Sequence, residues 1–397
     1  MLPKIAGASC TPENWQERRS EIVALFEENV FGRRPDIPYC VQSRLTAVQD
    51  ACGKTATREL YDVTVETDRG SVTMHLALVL PKGCAKAPCV LMISNHDRAA
   101  QDTGPVDMEP MKKLLAQAPD GWREATMKMF SGMEKKGYSA PSLLDIAQDD
   151  EQGYWPVRTI TDSGRAAACF YAGEAQPDDA KRFPQALSAL FLESGRPRTP
   201  DGWGTLGVWA FAASVMVTVL SGHERIDPDK ISVAGHSRGG KTALWCAAQD
   251  PRIRGALVNN SGCTGAAVSR GKSGEVPASI CAMFPHWFCP NYGKYAWREE
   301  EMPFDQHMLV AAVAPRLCYI TSGSEDSWSD PDAEWRGAKE GSAAWELFGA
   351  PPLPQDPPAP GEAYRDGPIG YHRRSGGHDL TRWDWEQFLL FLDKHDG

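Results

Sequence analysis

The run Gly235-His236-Ser237-Arg238-Gly239 constrains this chain more than any other stretch. It follows directly on Ile231-Ser232-Val233-Ala234, a short β-branched run, and precedes Lys241-Thr242-Ala243-Leu244-Trp245, which reads as helix. A GxSxG sequence alone also fits an ordinary tight turn. Between a strand and a helix its meaning is narrower. The serine then occupies a strained turn, and the residues two before and two after it must be small because strand and helix approach closely there. Its hydroxyl stands at the helix N-terminus, where free N–H groups and the helix dipole favour a developing negative charge. Ser237 is therefore the candidate nucleophile.

The remaining segments fall into place around that turn. Thr11-Pro12 opens a helix over about 12–31, with Ile22, Leu25, Phe26 and Val30 near helical spacing. Leu60 to Thr67 and Val72 to Leu80 read as strands joined by a hairpin turn at Asp68-Arg69-Gly70. Val90 to Ser94, Ala166 to Tyr171, Ile231 to Ala234, Gly255 to Val258, Leu317 to Ile320 and a segment around Pro368 to Tyr371 read as further strands. Helical stretches lie between them at Trp209 to Leu220, Gly239 to Gln249 and His307 to Val313, and Trp383 to His395 closes the chain. This alternation predicts a mostly parallel sheet with helices on both faces. The expected architecture is a single α/β-hydrolase domain over 1–397, with a more polar insertion over about 97–160 near the strand ends. Helical pieces are expected in that insertion around Met108 to Leu115 and Trp122 to Lys136.

A serine hydroxyl needs a base, and the base needs a group to orient it. In this fold the order along the chain is serine, acid, histidine. Five histidines follow Ser237: His286, His307, His372, His378 and His395. His378 lies in Ser375-Gly376-Gly377-His378-Asp379, after the last strand candidate and before the last helix, and is the expected base. His372 lies at that strand candidate and reads as structural. The acid is expected after the penultimate strand, in Ser324-Glu325-Asp326-Ser327-Trp328, with Asp326 preferred and Glu325 the alternative. Adjacent residues of an extended segment point opposite ways, so only one can face inward. The backbone N–H of Arg238 is the expected first oxyanion donor, with its guanidinium as a possible addition, and the loop Asn95-His96-Asp97 is the candidate source of a second.

Composition removes several function classes. The formal net charge of −10 argues against a nucleic-acid or membrane-surface partner. The longest apolar run, Gly207 to Leu220, is too short to span a bilayer. Eleven cysteines are present without a CxxC pair of zinc-type spacing, and Cys169, Cys246 and Cys318 read as core residues. No HExxH, P-loop or GxGxxG motif occurs, so neither metal nor cofactor is expected. Met1-Leu2-Pro3-Lys4 begins no charged segment followed by an apolar one. As it stands the chain reads as cytoplasmic, and as secreted if a leader was removed.

Gly235-His236-Ser237-Arg238-Gly239-Gly240-Lys241 resembles the G-C-S-R-x-G-K signature of the glucuronoyl esterases, the fifteenth carbohydrate esterase family, with His236 in place of the cysteine. Similar blocks follow at Ser261-Gly262, Phe284-Pro285-His286-Trp287-Phe288, Pro303-Phe304-Asp305-Gln306-His307-Met308, Ala314-Pro315-Arg316 and Gly376-Gly377-His378-Asp379. The resemblance implies metal-free hydrolysis of esters between 4-O-methyl-glucuronate on xylan and lignin alcohols. It implies oxyanion help from Arg238, uronate binding by Lys241, sugar packing by Trp328, and substrate contacts from His286 and Trp287. Many members carry the triad glutamate just before the block matching Ser261-Gly262, where this chain has Asn260; others use an acid placed like Asp326. An acetyl xylan esterase, another uronate methyl esterase, and a silent glycan-binding protein using Trp328, Trp287 and Lys241 remain as alternatives.

Overall fold

A computed structural model describes residues 1–7, 10–95, 109–132, 153–183, 185–193 and 195–396. Ten strands are defined: β1 Cys40–Ala51, β2 Ala56–Thr67, β3 Gly70–Pro81, β4 Ala87–Ser94, β5 Ala166–Tyr171, β6 Ile226–His236, β7 Gly255–Asn259, β8 Leu317–Gly323, β9 Ala363–Tyr364 and β10 Ile369–Arg374. They pair in one sheet in the order β1-β2-β3-β5-β4-β6-β7-β8-β10-β9. From β5 to β10 the neighbours are parallel, while β1, β2, β3 and β9 are antiparallel additions at the edges. The expected α/β-hydrolase fold, a mostly parallel sheet with helices on both faces, is the one observed.

The central strands are apolar on both sides because both sides are covered. Leu91 and Ile93 of β4 join one buried cluster, and Val90 and Met92 between them join the other, as the two-residue period of a strand requires. On the first face lie the helices Thr205–Ser221 and Arg238–Gln249, with the N-terminal helix Trp15–Phe26 packed beyond through Trp15, Ile22 and Phe26. Leu244 and Trp245 are fully buried there, so truncating Leu244 to alanine would cost about 2–5 kcal/mol. The second face is covered by the last helix, Arg382–His395, through Trp385, Phe388 and Phe391.

The hairpin expected at 68–70 is present, with Thr67 paired to Gly70. The strand β1 has no counterpart in the sequence reading. Nearly all of its residues are exposed on both faces, so it carries no alternation to read. The short β9, with only Ala363 and Tyr364, was also missed. In the expected insertion, the helices Glu109–Gln117 and Asp120–Gly132 are described; 96–108 and 133–152 lie outside the described residues. Trp122 docks this insertion on the body, donating from Nε1 to Gly274 O at 2.9 Å and meeting the Trp297 ring edge-on at 5.1 Å. All eleven cysteines are free thiols, and Cys169, Cys246 and Cys318 are buried.

Candidate active site

The chain turns at Ser237 with φ 58° and ψ −123°, a conformation costly for any residue with a side chain. Two glycines make the turn possible. A Cβ on Gly235 would stand 2.1 Å from Gly239 O, and one on Gly239 would stand 2.8 Å from Ile93 O. The strained backbone is tied at both ends: Ser237 N donates to Asn259 O at 2.9 Å, and Lys241 N donates to Ser237 O at 3.0 Å. Ser237 is half-exposed at the head of the helix Arg238–Gln249 while His236, Gly239 and Gly240 are buried.

The C-terminal ends of the parallel strands bring three further residues to this turn, the usual place for a site in such a sheet. Asn260 follows β7, Asp326 follows β8, and His378 follows β10. His378 Nδ1 lies 2.6 Å from Asp326 Oδ2, and the His378 ring lies tilted with its centre 4.6 Å from that of the ring of His236, the residue before the serine. An ionised carboxylate can only accept, so Nδ1 carries the proton and Nε2 is the nitrogen left for a serine proton. Asp326 also accepts from Asn260 Nδ2 at 2.6 Å and from Ser329 N at 3.2 Å. Burial alone would push the Asp326 carboxyl up. His378, through hydrogen bond and charge, together with Asn260 and Ser329, outweighs burial and holds it well below the usual carboxylate range. Glu325, the alternative acid, is exposed and contributes only its backbone, N donating to Gly376 O at 2.9 Å.

Arg238 is held by a residue that the sequence did not single out. Its Nη1 donates to Asp178 Oδ2 at 2.5 Å. The other oxygen of Asp178 meets His286 Nε2 at 2.8 Å and accepts from Trp287 Nε1 at 2.6 Å. The guanidinium lies 4.7 Å from the centre of the Trp287 ring, which stacks on Phe284 at 3.9 Å. His286 and Trp287 were expected to touch substrate. Both are buried, and their polar hydrogens are spent on Asp178, so they support Arg238 from behind.

Lys241 also departs from expectation. It was expected to offer its ammonium to a sugar, yet it is buried with Nζ donating to Ser261 O and Cys263 O at 2.7 Å each and to Glu275 Oε2 at 2.9 Å. An ammonium has three donors, and all three are used. Lys241 instead ties the helix behind the serine to the two loops beside it. Glu275 N in turn donates to Trp328 O at 2.9 Å, and Trp328 is half-buried at the rim. Gly274, at φ +67°, permits that approach, because a Cβ there would stand 2.4 Å from Trp328 O. Of the expected second oxyanion loop, Asn95 lies against the turn, with Oδ1 3.3 Å from a Cβ on Gly239; His96 and Asp97 fall outside the described residues. Among the described residues no group of three or more His, Cys, Asp or Glu side chains could hold a metal ion.

The loop carrying His378 is gripped from below. Arg374, at the end of β10, donates to the carbonyls of Ser375 at 2.9 Å, Gly377 at 2.7 Å and Asp379 at 3.1 Å. Its Nε lies 3.0 Å from the fully buried carboxylate of Asp384. Asp178, Glu275, Arg374 and Asp384 are members of the site that sequence reasoning missed. Asp178 and Glu275 act on partners 60 and 34 residues away that only the fold brings near, whereas Arg374 grips carbonyls one to five residues along its own loop.

Comparison of the whole chain with known proteins places it in a family. The family model described as "Glucuronyl esterase, fungi" matches residues 199–349. The carbohydrate esterase MZ0003, from an unknown prokaryotic organism, is 31% identical over 388 residues, covering 96% of this chain and 85% of that protein. Among solved structures, a glucuronoyl esterase from Solibacter usitatus superposes with a TM-score of 0.81 at 31% identity, covering 100% of this chain and 98% of that one. A promiscuous esterase of the same carbohydrate esterase family, from a marine bacterial metagenome, superposes with a TM-score of 0.80 at 30% identity over 100% and 97% of the two chains. With such identity sustained across nearly the whole of both chains, this protein belongs to the glucuronoyl esterases of carbohydrate esterase family 15 and is a carboxylic ester hydrolase.

Proposed function

We propose that this chain, acting as one α/β-hydrolase unit, is a serine carbohydrate esterase that cleaves esters of 4-O-methyl-glucuronate of the xylan–lignin type. The observation that carries the reading is the 2.6 Å pair of Asp326 and His378, seated 4.6 Å from the ring that precedes Ser237. Ser237 Oγ attacks the ester carbonyl carbon while His378 Nε2 takes its proton. Asp326 holds the imidazole in the required tautomer and stabilises its charged form. The oxyanion that forms is met by the N–H of Arg238 and by its guanidinium. The tetrahedral intermediate collapses, the alcohol leaves with the proton from His378, and water then attacks the acyl-enzyme by the same route to release the uronate. The rim formed by Trp328 and the loop of Glu275 faces the sugar.

A side-by-side assay on benzyl glucuronate, methyl galacturonate and acetylated xylan tests this, with Ser237→Ala as the blank. Turnover should be highest on benzyl glucuronate. Preference for acetylated xylan would move the protein to acetyl ester hydrolysis, and turnover unchanged in Ser237→Ala would remove the serine mechanism.

A further inference from the structure

We infer that Asp178 is a positioning and charge-balancing residue for Arg238, so that the oxyanion site offers aimed N–H donors without a net positive charge. The inference rests on the uronate esterase reading above.

The geometry supplies the argument. Asp178 Oδ2 takes one end of the guanidinium at 2.5 Å, fixing the side chain's direction over the Trp287 face. Asp178 is itself fixed by two donors on its other oxygen, from His286 at 2.8 Å and Trp287 at 2.6 Å. Those two residues belong to a segment pinned to the helix Thr205–Ser221, with Thr205 N donating to His286 O at 2.9 Å and Leu206 N donating to Trp287 O at 3.2 Å. Two residues before Asp178, buried Gln176 accepts from Trp209 Nε1 at 2.8 Å and donates to Phe183 O at 2.6 Å. Asp178 is thus held from both sides before any substrate arrives. Burial pushes its carboxyl up, but the charge of Arg238 and the His286 and Trp287 donors outweigh burial, and it stays ionised.

The reaction explains why an uncharged arrangement matters. A uronate ester is neutral at the reacting carbon, whereas the released uronate is a carboxylate lying where the oxyanion stood. A bare arginine would favour the oxyanion of the transition state and would also hold the anionic product. A carboxylate paired to its far end leaves the hydrogen-bond geometry and removes most of the long-range attraction for that product.

The test measures benzyl glucuronate hydrolysis and its inhibition by free glucuronate. In Asp178→Asn, kcat should fall about tenfold, with KM for the neutral ester changed less than about twofold, because the donor is aimed less well. Glucuronate should inhibit several-fold more tightly, a modest figure because Arg238 is partly exposed and solvent screens it. A purely structural role would weaken product binding. In an Arg238→Ala background, Asp178→Asn should change neither quantity, since its only route is through the guanidinium. The inference is overturned if product inhibition in Asp178→Asn is unchanged or weaker, or if Asp178→Asn slows Arg238→Ala further. Should Asp178→Asn fail to fold, Asp178→Glu carries the test: it keeps the charge and misplaces the oxygens, so kcat should drop while product inhibition stays within about twofold, and inhibition that tightens in this variant overturns the idea. A wild-type protein that releases no benzyl alcohol fails the uronate reading itself, before any variant is compared.

Discussion

Two histidines six residues apart on this chain each pair with a carboxylate, and the bond lengths hardly differ. His378 meets Asp326 at 2.6 Å, and His372 meets Asp384 at 2.7 Å. Their surroundings differ completely. Both side chains of the His372 pair are wholly inaccessible, and the second ring nitrogen of His372 is occupied by Tyr319 Oη at 3.0 Å. Burial, the largest influence, lowers the His372 imidazole against the opposing pull of Asp384, so that ring stays neutral. His378 keeps a third of its side chain exposed while its partner Asp326 is almost fully buried. A histidine works as a base when one nitrogen is anchored and the other is reachable. With both nitrogens anchored, it becomes a strut. The strut still serves the base, because Asp384 holds Arg374, and Arg374 holds the carbonyls on either side of His378.

That contrast can be broken by experiment. The largest effect is expected at the reachable pair: His378→Ala and Ser237→Ala should each lower kcat by roughly five to six orders of magnitude, and the double variant should be hardly slower than either. Steady-state kinetics on folded protein checks this, and near-additive losses would mean that the two do not act as one unit.

Next comes the acid. Asp326→Asn should cost about four orders of magnitude in kcat, the usual scale for turning a triad aspartate into its amide, while exposed Glu325→Gln should cost less than about twofold. Circular dichroism on the same samples guards against misfolding. If Glu325→Gln is the inactive variant, the two neighbours exchange roles.

At the buried pair the expected signature is inverted. Asp384→Asn leaves the Arg374 charge without its partner and should cost about 3–5 kcal/mol of stability in a denaturant titration. The kcat of the molecules that remain folded should fall far less than in His378→Ala. Lost turnover with unchanged stability would assign the strut to catalysis.

The smallest effect is a pH dependence. The folded Asp326 carboxyl sits below its unfolded value, so its stabilisation is complete above the unfolded aspartate value of about 3.9 and is lost as pH falls through the lower folded value. Melting temperatures of wild type and Asp326→Asn should differ by a constant amount over about pH 5–8 and converge only below about pH 4. Convergence near neutrality would point to another titrating group.

The sequence exposed those parts of the molecule whose logic is local. The elbow is legible because Gly235, Ser237 and Gly239 meet a steric demand within five residues. The central strands are legible because burial on both faces leaves short apolar runs between turn residues. His378 could be chosen over His372 because one lies in a glycine loop and the other within the strand. What stayed hidden was relational. Asp178 differs from any loop aspartate through Arg238, 60 residues away, and Glu275 from any loop glutamate through Lys241, 34 residues away. Lys241 misled for the same reason: its place one turn after Ser237 suggested an open cleft, and carbonyls from a distant loop closed over it. Trp287 misled because aromatic character suits a sugar platform as well as it suits the bed beneath a guanidinium.

The 2.6 Å bond from Asn260 to Asp326 has a consequence for how such an enzyme can change over generations. The ends of β7 and β8 lie close enough for either to present a carboxylate to the same imidazole. A lineage could therefore move its acid from one strand to the next without moving its base. The intermediate with acids at both places would carry two carboxylates within hydrogen-bond reach, which can persist only by sharing a proton. That makes the crossing narrow, and at the end of β7 Asn260 meets Asp326 as a hydrogen-bond donor rather than as a second charge. Asn260→Glu should accordingly impair the present protein, yet restore about tenfold in kcat to Asp326→Asn, running the crossing backwards in two substitutions.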